Sequence, residues 1–343
     1  MTNLVELDAV EILVIIDNEL DPISPCPNPL IEQSGGIKDI CTRAHRTPPD
    51  GGEPVLELRM DNICCSAHGL SLMITGVKDG RRRTILFDTG PEEDMWERNA
   101  KRLGPDIGQI EVIVLSHWHR DHSGGMLKVL RRITEERERT GTSLPPVSVD
   151  LHPDRPAYRG SLVPGMPIIS LQADPSFEEI EACDGVVNKS IQAHTVLDDM
   201  FLISGEIPRV TGYEKGFPFG VRYIEEKREW VKDADMADER FLMCRLKGKG
   251  IVMFTGCGHA GVVNSAKHAV NLGDGVPLYA VAGGFHLADA QPDIIEQTVS
   301  DLKASGTKVV LPGHCTGWRA KFELQKQMPG CFAPCFVGSK FVL

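Results

Sequence analysis

Long hydrophobic runs are missing from this sequence, and so is any excess of positive charge. No apolar stretch reaches the roughly 18 residues that a membrane-spanning helix needs, although 41% of the 343 residues are hydrophobic. The formal net charge of -11 argues against nucleic acid as the main partner, because phosphate backbones bind basic surfaces. The acidic start MTNLVELD lacks the basic region of a signal peptide. We therefore expect a cytoplasmic protein that binds neither nucleic acid nor membranes.

Two further signatures are missing. The sequence has no GxSxG motif, so a covalent serine mechanism has no support. Its ten cysteines are scattered, and the close spacings, Cys64 with Cys65 and Cys331 with Cys335, do not form a zinc-ribbon pattern. In a long chain without a secretion signal, free thiols are expected rather than a disulfide framework.

The apolar pattern that is present predicts an α/β fold. The first half has predicted strands at 9–16, 70–76, 84–87 and 112–116. A turn at Lys78-Asp79-Gly80 joins the second and third of them into a hairpin. A helical period begins at Gly124, after the fourth strand. From 251 onward the chain alternates strand and helix, which predicts a βαβαβ unit.

Periodicity is weak in two segments. Residues 20–55 are rich in Pro, Gly and Cys and are interpreted as a long surface loop. Residues 140–245 mix short apolar runs with a charged run and are interpreted as an insertion or lid. The chain as a whole, 1–343, is expected to form a single domain that contains this insertion.

The densest chemistry lies in SHWHRDH, residues 116–122, directly after a predicted strand. Alternate residues of an extended segment point the same way, so His117 and His119 can address one metal ion. Asp121 and His122 can then turn toward a second ion as the loop bends. Four potential ligands in six positions make a merely solvated loop a poor explanation. Imidazole with carboxylate suits zinc, and also manganese or iron.

At this point the chain resembles the metallo-β-lactamase superfamily, whose hallmark is HxHxDH after a strand. Within it, the chain is similar to the branch of metal-dependent hydrolases related to the archaeal dihydropterin ribofuranosylaminobenzene phosphate synthase. The matching segments are IIDNE, HGLSLMI, ILFDTG, LSHWHRDHSGG, SGEIPR, FTGCGHAGVVN, GGFHL and GHCTG. The resemblance implies an αββα sandwich with an inserted lid-like segment.

The resemblance also implies a ligand set for two metal ions. Its members are His117, His119, Asp121, His122 and His314. Asp88, in FDTG, is either the carboxylate that orients a ligand histidine or a turn residue.

Three positions depart from the superfamily pattern. Cys257 stands where a bridging aspartate is usual, and His259 follows two residues later. We expect one of the two to face the metals and favour His259, which leaves Cys257 packed or a weak soft ligand. Glu206 stands where a ligand histidine is usual, and is either a carboxylate ligand or a partner of Arg209.

Other histidines outside the motif have weaker patterns. His286, in GGFHL, is assigned to substrate contact or proton transfer, with a core role as the alternative. His152 and His194 are interpreted as surface or packed residues.

The function implied is a metal-dependent hydrolase that uses a metal-bound hydroxide on a small ester, lactone or phosphoester. Two divalent ions, zinc first and manganese or iron as alternatives, would be its cofactors. Asp121 would bind metal and hold the hydroxide, and His286 or Glu206 would assist the leaving group. Glycine pairs near the motifs suit an anionic substrate or serve turn geometry alone. The alternatives are a di-iron oxidoreductase on the same scaffold and a noncatalytic metal- or ligand-binding protein.

Overall fold

The structure is a computed structural model that describes residues 4–343. Its strands, β1 to β21 in chain order, are Glu6–Leu7, Ala9–Ile16, Glu32–Ser34, His45–Arg46, Val55–Leu56, Ser71–Lys78, Arg81–Phe87, Ile110–Val114, Ser148–Leu151, Tyr158–Ser161, Ile169–Ser170, Val186–Lys189, His194–Val196, Phe201–Ile203, Gly220–Ile224, Glu229–Lys232, Leu242–Leu246, Gly250–Thr255, Leu278–Gly284, Val309–Gly313 and Lys340–Val342. Its α-helices, α1 to α8, are Ile37–Cys41, Glu93–Leu103, Arg120–Ser123, Met126–Thr140, Phe177–Glu181, Val262–Leu272, Pro292–Ala304 and Trp318–Gln327. Short 3₁₀ helices cover Met60–Asn62, Ile107–Gln109 and His314–Thr316.

Two large sheets lie face to face. The first has the strand order β12-β9-β8-β7-β6-β2-β21-β3, and the second has the order β13-β14-β17-β18-β19-β20, with β1 beside β17. One core cluster joins them, with Leu72 and Phe87 from the first sheet against Phe201 and Phe254 from the second. The main apolar core is therefore the space between the sheets.

Helices cover the outer face of each sheet. Strand β18 shows why, because its side chains alternate: Val252 and Phe254 enter the core between the sheets, while Ile251 and Met253 pack on the other face. Helices α6, α7 and α8 supply the partners on that outer face, and α2 and α4 cover the first sheet in the same way. The layers are helix, sheet, sheet, helix, which is the αββα sandwich expected.

The elements with clear periodicity are confirmed. Strand β2 is Ala9–Ile16, and strands β6 and β7 form the antiparallel hairpin with Asp79 and Gly80 in its turn. Strands β18, β19 and β20 run parallel with α6 and α7 between them, as the predicted βαβαβ unit requires. All ten cysteines are free thiols.

The range 140–245 is not one insertion. Strands β9 and β12 belong to the first large sheet, and β13 and β14 belong to the second. Only β10, β11, β15 and β16 form a separate four-stranded antiparallel sheet. The sheet strands in this range have three or four residues each, which is too short to give a period that distinguishes them from loop.

The interpretation of 20–55 as one surface loop is also only partly right. Glu32–Ser34 pairs with β21 at the edge of the first sheet, and Ile37–Cys41 is a short helix. Asn28 is buried and donates from Nδ2 to the carbonyl of Cys331, 2.8 Å away. Among residues 4–343, no helix is long and apolar enough to cross a membrane.

Candidate metal centre

Five polar loops meet at one end of the sandwich. Each begins where a strand ends: Asp88 follows β7, His117 lies beyond β8, Cys257 beyond β18, His286 beyond β19 and His314 directly after β20. Strands β7 and β8 run parallel, and so do β18, β19 and β20. Carboxyl ends of parallel strands lie at one edge, so the fold itself gathers these side chains.

The segment His117-Trp118-His119 alternates as its sequence predicts. Trp118 is fully buried in the core under the first sheet, and its Nε1 donates to the carbonyl of His152 at 2.9 Å. The two histidines turn the other way, with His117 Nε2 and His119 Nδ1 3.0 Å apart. The tryptophan thus anchors the loop that presents both imidazoles.

One group of donor atoms, called here the tri-histidine group, consists of His117, His119 and His259. One ring nitrogen from each lies within 4.8 Å of the others. His259 is buried, and neither of its ring nitrogens has a hydrogen-bond partner among the described residues. An unpartnered buried imidazole is costly, so this arrangement fits a metal ion held by three nitrogens.

A second group, called here the cysteine group, consists of Asp121, His122, Cys257 and His314, with donor atoms again within 4.8 Å. The Sγ of Cys257 lies 3.3 Å from Nε2 of His122 and 3.2 Å from Nε2 of His314. Oδ2 of Asp121 lies 3.2 Å from the same nitrogen of His314. The rings of His122 and His117 are 4.4 Å apart, so the two groups are direct neighbours.

The expectation that only one of Cys257 and His259 faces the centre is wrong. Cys257 points into the cysteine group and His259 into the tri-histidine group. The residue between them, Gly258, has φ +80°, and a Cβ there would meet the carbonyl of Gly284 at 2.8 Å. This left-handed glycine turns the chain so that neighbouring donors serve different groups.

Asp88 is buried and fixes two of the histidines. Its Oδ2 lies 2.6 Å from Nδ1 of His122, and its two oxygens accept the backbone N–H and the hydroxyl of Ser116 at 2.7 and 2.8 Å. The Ser116 hydroxyl in turn lies 2.9 Å from Nδ1 of His117. These contacts leave Nε2 of His122 and His117 directed at the donor groups, as an orienting carboxylate does in metal sites.

Two residues directly after strand β2 orient His314, a role that the sequence pattern did not indicate. Oδ2 of Asp17 accepts the backbone N–H of His314 at 2.8 Å, and Oδ1 of Asn18 lies 2.9 Å from its Nδ1. The Nδ2 of Asn18 contacts His68, whose Nε2 is 3.6 Å from Asp121. The segment IIDNE gave the available signal, because its polar pair directly follows a buried strand.

Burial keeps most of these imidazoles neutral, which is the form that binds metal. It lowers the pKa of His119 to about 3 and that of His314 to about 4, and burial lowers the pKa of His117 and His259 as well. For His122, burial also lowers the pKa, but the carboxylates of Asp121 and Asp88 outweigh it and raise the pKa to about 9. A cation at the cysteine group would compete with that proton.

A cavity of about 670 Å³ lies over the two groups. His119, His259 and Cys257 form part of its lining, together with Arg120 and His286. A cavity of about 730 Å³ elsewhere, along the outer face of the first sheet, is larger. It contains neither donor group, so the chemistry points to the smaller cavity.

The wall of this cavity includes residues from several loops. His286 has φ +48° and its ring lies 4.3 Å from that of His259 and 5.7 Å from that of Phe217. Arg120 donates from Nη1 to the carbonyl of Ala173, and its buried Nε has no partner among residues 4–343. Both side chains therefore lie where a bound small molecule would contact them.

Glu206 does not join either donor group. It is exposed and lines a different, smaller cleft beside Arg209. Arg209 itself donates to the carbonyl of His259 at 2.8 Å, and no ion pair with Glu206 is found in the described part of the chain. His152 and His194 also belong to neither donor group. Nε2 of His194 instead contacts Oδ2 of Asp150 at 2.8 Å.

Known proteins resemble this chain over most of its length. Residues 69–211 match the family model of the metallo-beta-lactamase superfamily. The 7,8-dihydropterin-6-methyl-4-(beta-D-ribofuranosyl)-aminobenzene-5'-phosphate synthase of Methanocaldococcus jannaschii is 29% identical over 258 residues, which cover 75% of this chain and 83% of that protein.

Two solved structures extend the likeness to nearly the whole chain. A metal-dependent hydrolase of the beta-lactamase superfamily superposes with a TM-score of 0.64 at 23% identity, over 96% of this chain and 98% of the other. The metallo-beta-lactamase fold protein YhfI from Bacillus subtilis gives 0.51 at 12% identity, over 98% and 99%. At these identities the structures show the fold. The family match over residues 69–211 and the sequence relative point in the same direction, so the chain is similar to proteins of the metallo-β-lactamase superfamily.

Proposed function

We propose that the protein is a metal-dependent hydrolase that binds two divalent ions, zinc first and manganese or iron as alternatives. The observation that carries the proposal is that two neighbouring donor groups line one cavity. The tri-histidine group would hold one ion and the cysteine group the other. Cys257 would stand in for the carboxylate that bridges or completes such sites, and a thiolate favours zinc.

The residues around the donors support this assignment. Side-chain oxygens of Asp88, Ser116 and Asn18 lie within hydrogen-bond distance of Nδ1 of three proposed ligands. These are His122, His117 and His314, in that order. A neutral imidazole that donates its Nδ1–H to oxygen has an Nε2 lone pair for a cation, and His122 would first have to lose its second proton. The contacts at Nδ1 therefore support ring directions that suit metal binding.

When bound, such ions acidify a water molecule and polarise the oxygen of the bond to be cleaved. Asp121, at the edge of the cysteine group, would also orient the attacking water. Burial lowers the pKa of His286, so this side chain is neutral near pH 7. It would first accept a proton from the attacking water and then deliver it to the leaving oxygen.

The substrate would be a small ester, lactone or phosphoester that fits the cavity. Arg120 supports an anionic group on that substrate, because this residue lines the cavity and its buried Nε has no hydrogen-bond partner among residues 4–343. The small sheet of β10, β11, β15 and β16 would act as a lid of the single domain. Ser161 is contributed by that sheet to the cavity wall, and Phe217 by the loop before β15.

A second candidate is a synthase reaction of the kind named for the Methanocaldococcus jannaschii protein. The observation in its favour is the 29% identity over three quarters of this chain. Such an enzyme would use the same donors to form a bond rather than to hydrolyse one, so the substrate decides between the two.

The test is to strip the protein with a chelator, reload it with zinc, manganese or ferrous iron, and assay a phosphodiester, a lactone and a carboxylic ester. We expect hydrolysis to return with zinc or manganese and to fall in His286→Gln. His45→Ala, a change at an exposed histidine, is the control. Turnover that requires iron and an electron acceptor would overturn the hydrolase proposal. Hydrolysis that is equal in stripped and reloaded protein would do the same.

A further inference from the structure

Three consecutive charged residues, Asp238, Glu239 and Arg240, are almost completely buried, with exposed fractions of 1%, 3% and 1%. They lie just before β17, at the end of the segment 140–245 that the sequence pattern indicates to be an insertion or lid. Burial of three adjacent charges is costly unless each one is paired or hydrogen-bonded. Their partners therefore show what this segment does.

The carboxylate of Glu239 accepts hydrogen bonds from the loop that carries His259. Oε1 accepts the backbone N–H groups of Gly258 and His259, each at 2.8 Å, and Oε2 accepts that of Ala260. No ion pair of Glu239 is found among residues 4–343. Three successive backbone donors thus hold one carboxylate, which is the arrangement of an anion-binding nest.

The residues on either side of Glu239 hold the other loop of the tri-histidine group. Oδ2 of Asp238 accepts the backbone N–H of Trp118 at 2.8 Å. The backbone N–H of Arg240 donates to the carbonyl of Ser116 at 2.8 Å, and its guanidinium donates to the carbonyl of Leu115 at 2.9 Å. One three-residue segment therefore contacts the backbones of both loops that present the three imidazoles.

The cysteine group is anchored differently. His314 is held by Asp17 and Asn18, and His122 is held by Asp88. Cys257 directly precedes the loop that Glu239 binds, but its Sγ lies between two histidines that Glu239 does not contact. Loss of Glu239 should therefore act mainly on His259.

We propose that Glu239 is a positioning residue that fixes His259 relative to His117 and His119, and so sets metal affinity at the tri-histidine group. The inference rests on the proposed metal-binding function. It adds that this affinity depends on a carboxylate that touches no metal donor atom and lies in a segment of the chain without a metal motif.

The variant Glu239→Gln tests this, because the amide has nearly the same volume but replaces one acceptor oxygen with a donor. That donor would face a backbone N–H, so at least one of the three bonds is lost without a cavity. The matched control is Glu214→Gln. Glu214 also accepts two backbone N–H groups, those of Val263 and Asn264, each at 2.8 Å, but neither belongs to a metal-ligand loop.

The readout is titration of chelator-stripped full-length protein with cobalt(II). Visible absorption reports total binding, and the thiolate-to-cobalt charge-transfer band, which should be absent in Cys257→Ser, reports an ion at the cysteine group. Wild type should bind in two resolvable steps. In Glu239→Gln, cobalt affinity in the step without charge transfer should weaken by about ten- to a hundredfold, as expected when an orienting contact is lost. Cobalt affinity in the charge-transfer step should stay within about twofold of wild type. Glu214→Gln should match wild type in both steps.

Glu239→Asp provides a second variant, which keeps the charge and should restore part of the lost affinity. Equal binding in wild type and Glu239→Gln would overturn the positioning role while leaving the metal proposal intact. Equal weakening of both steps, or the same loss in Glu214→Gln, would assign the effect to general loosening of the fold and also overturn it. Wild type that binds no cobalt would overturn the metal proposal itself.

Discussion

The sulfur of Cys257 lies 3.2 Å from Nε2 of His314. The same sulfur is 3.3 Å from Nε2 of His122, so a thiol occupies the centre of one donor group. Burial raises the pKa of this thiol. A free thiolate is therefore disfavoured here, and a bound cation is the natural partner that would deprotonate it.

Cys257→Ser should lose metal from the cysteine group. A hydroxyl is a poor zinc ligand, and we expect affinity at that group to fall by at least about tenfold, while the tri-histidine group keeps its ion. Competition with a zinc chelator measures both steps. Cys41→Ser, at a partly buried thiol in α1, is the control, and a Cys257→Ser protein with unchanged affinity would rule the thiol out as a ligand.

Asp88→Asn should weaken metal binding by about ten- to a hundredfold, because Oδ1 of Asp88 accepts the backbone N–H of Ser116 while Oδ2 contacts Nδ1 of His122, and the single amide oxygen of asparagine cannot replace both. The control is Asp79→Asn, an exposed turn residue that shares the positive φ of Asp88, +48° against +60°. Binding is measured by the same chelator competition. If the two variants lose affinity equally, backbone strain rather than histidine orientation explains the effect.

Arg120→Gln should raise the KM for an anionic substrate by about ten- to a hundredfold with little change in kcat, since a charge-assisted contact is lost in ground state and transition state alike. Steady-state kinetics with an anionic substrate and a neutral ester of the same size provides the comparison. The neutral ester should show little change. A fall in kcat for both substrates would instead indicate damage to neighbouring Asp121.

Asp174 should make stability depend on pH. Burial raises its pKa from 3.8 to about 6, so the folded state binds this proton more tightly than the unfolded state does. The contribution to stability is complete below pH 3.8 and is lost as the pH rises through about 6, a loss of roughly 3 kcal/mol. Asp174→Asn should lack this loss, because its amide oxygen still accepts the Ser123 hydroxyl.

Urea unfolding of the metal-free proteins across this pH range measures the effect, since metal release would otherwise add its own pH dependence. As the pH rises from 4 to 7, the unfolding free energy of wild type should fall relative to that of Asp174→Asn. Asp50→Asn, at an exposed carboxyl, controls for the loss of one charge. Parallel curves for wild type and Asp174→Asn would show that Asp174 does not change its proton affinity on folding.

Local sequence was enough for strands β2, β6, β7 and β8, for the βαβαβ unit and for the His117–His122 loop. These features depend on apolar alternation and on residues close together in the chain, which a pattern can record. The same local reasoning failed at TGCGH, because the left-handed backbone at Gly258 separates Cys257 from His259 in a way that spacing does not show.

Contacts between distant residues could not be predicted in this way. Asp17 and His314 are 297 positions apart, yet one holds the backbone of the other. Glu239 belongs to a run of charges that is typical of solvated surface, and only the folded structure shows that it is buried against the His259 loop. Buried charges that support a site from outside its motifs leave no periodic signal.

The most direct measurement is metal content per chain by inductively coupled plasma mass spectrometry, on wild type, His259→Ala, His314→Ala and the control His45→Ala. We expect about two ions in wild type and control and about one in each of the other variants. The retained ion should show the thiolate band of Cys257 in cobalt-loaded His259→Ala but not in His314→Ala. Wild type without stoichiometric metal, or histidine variants that keep both ions, would contradict a two-metal centre built from these groups.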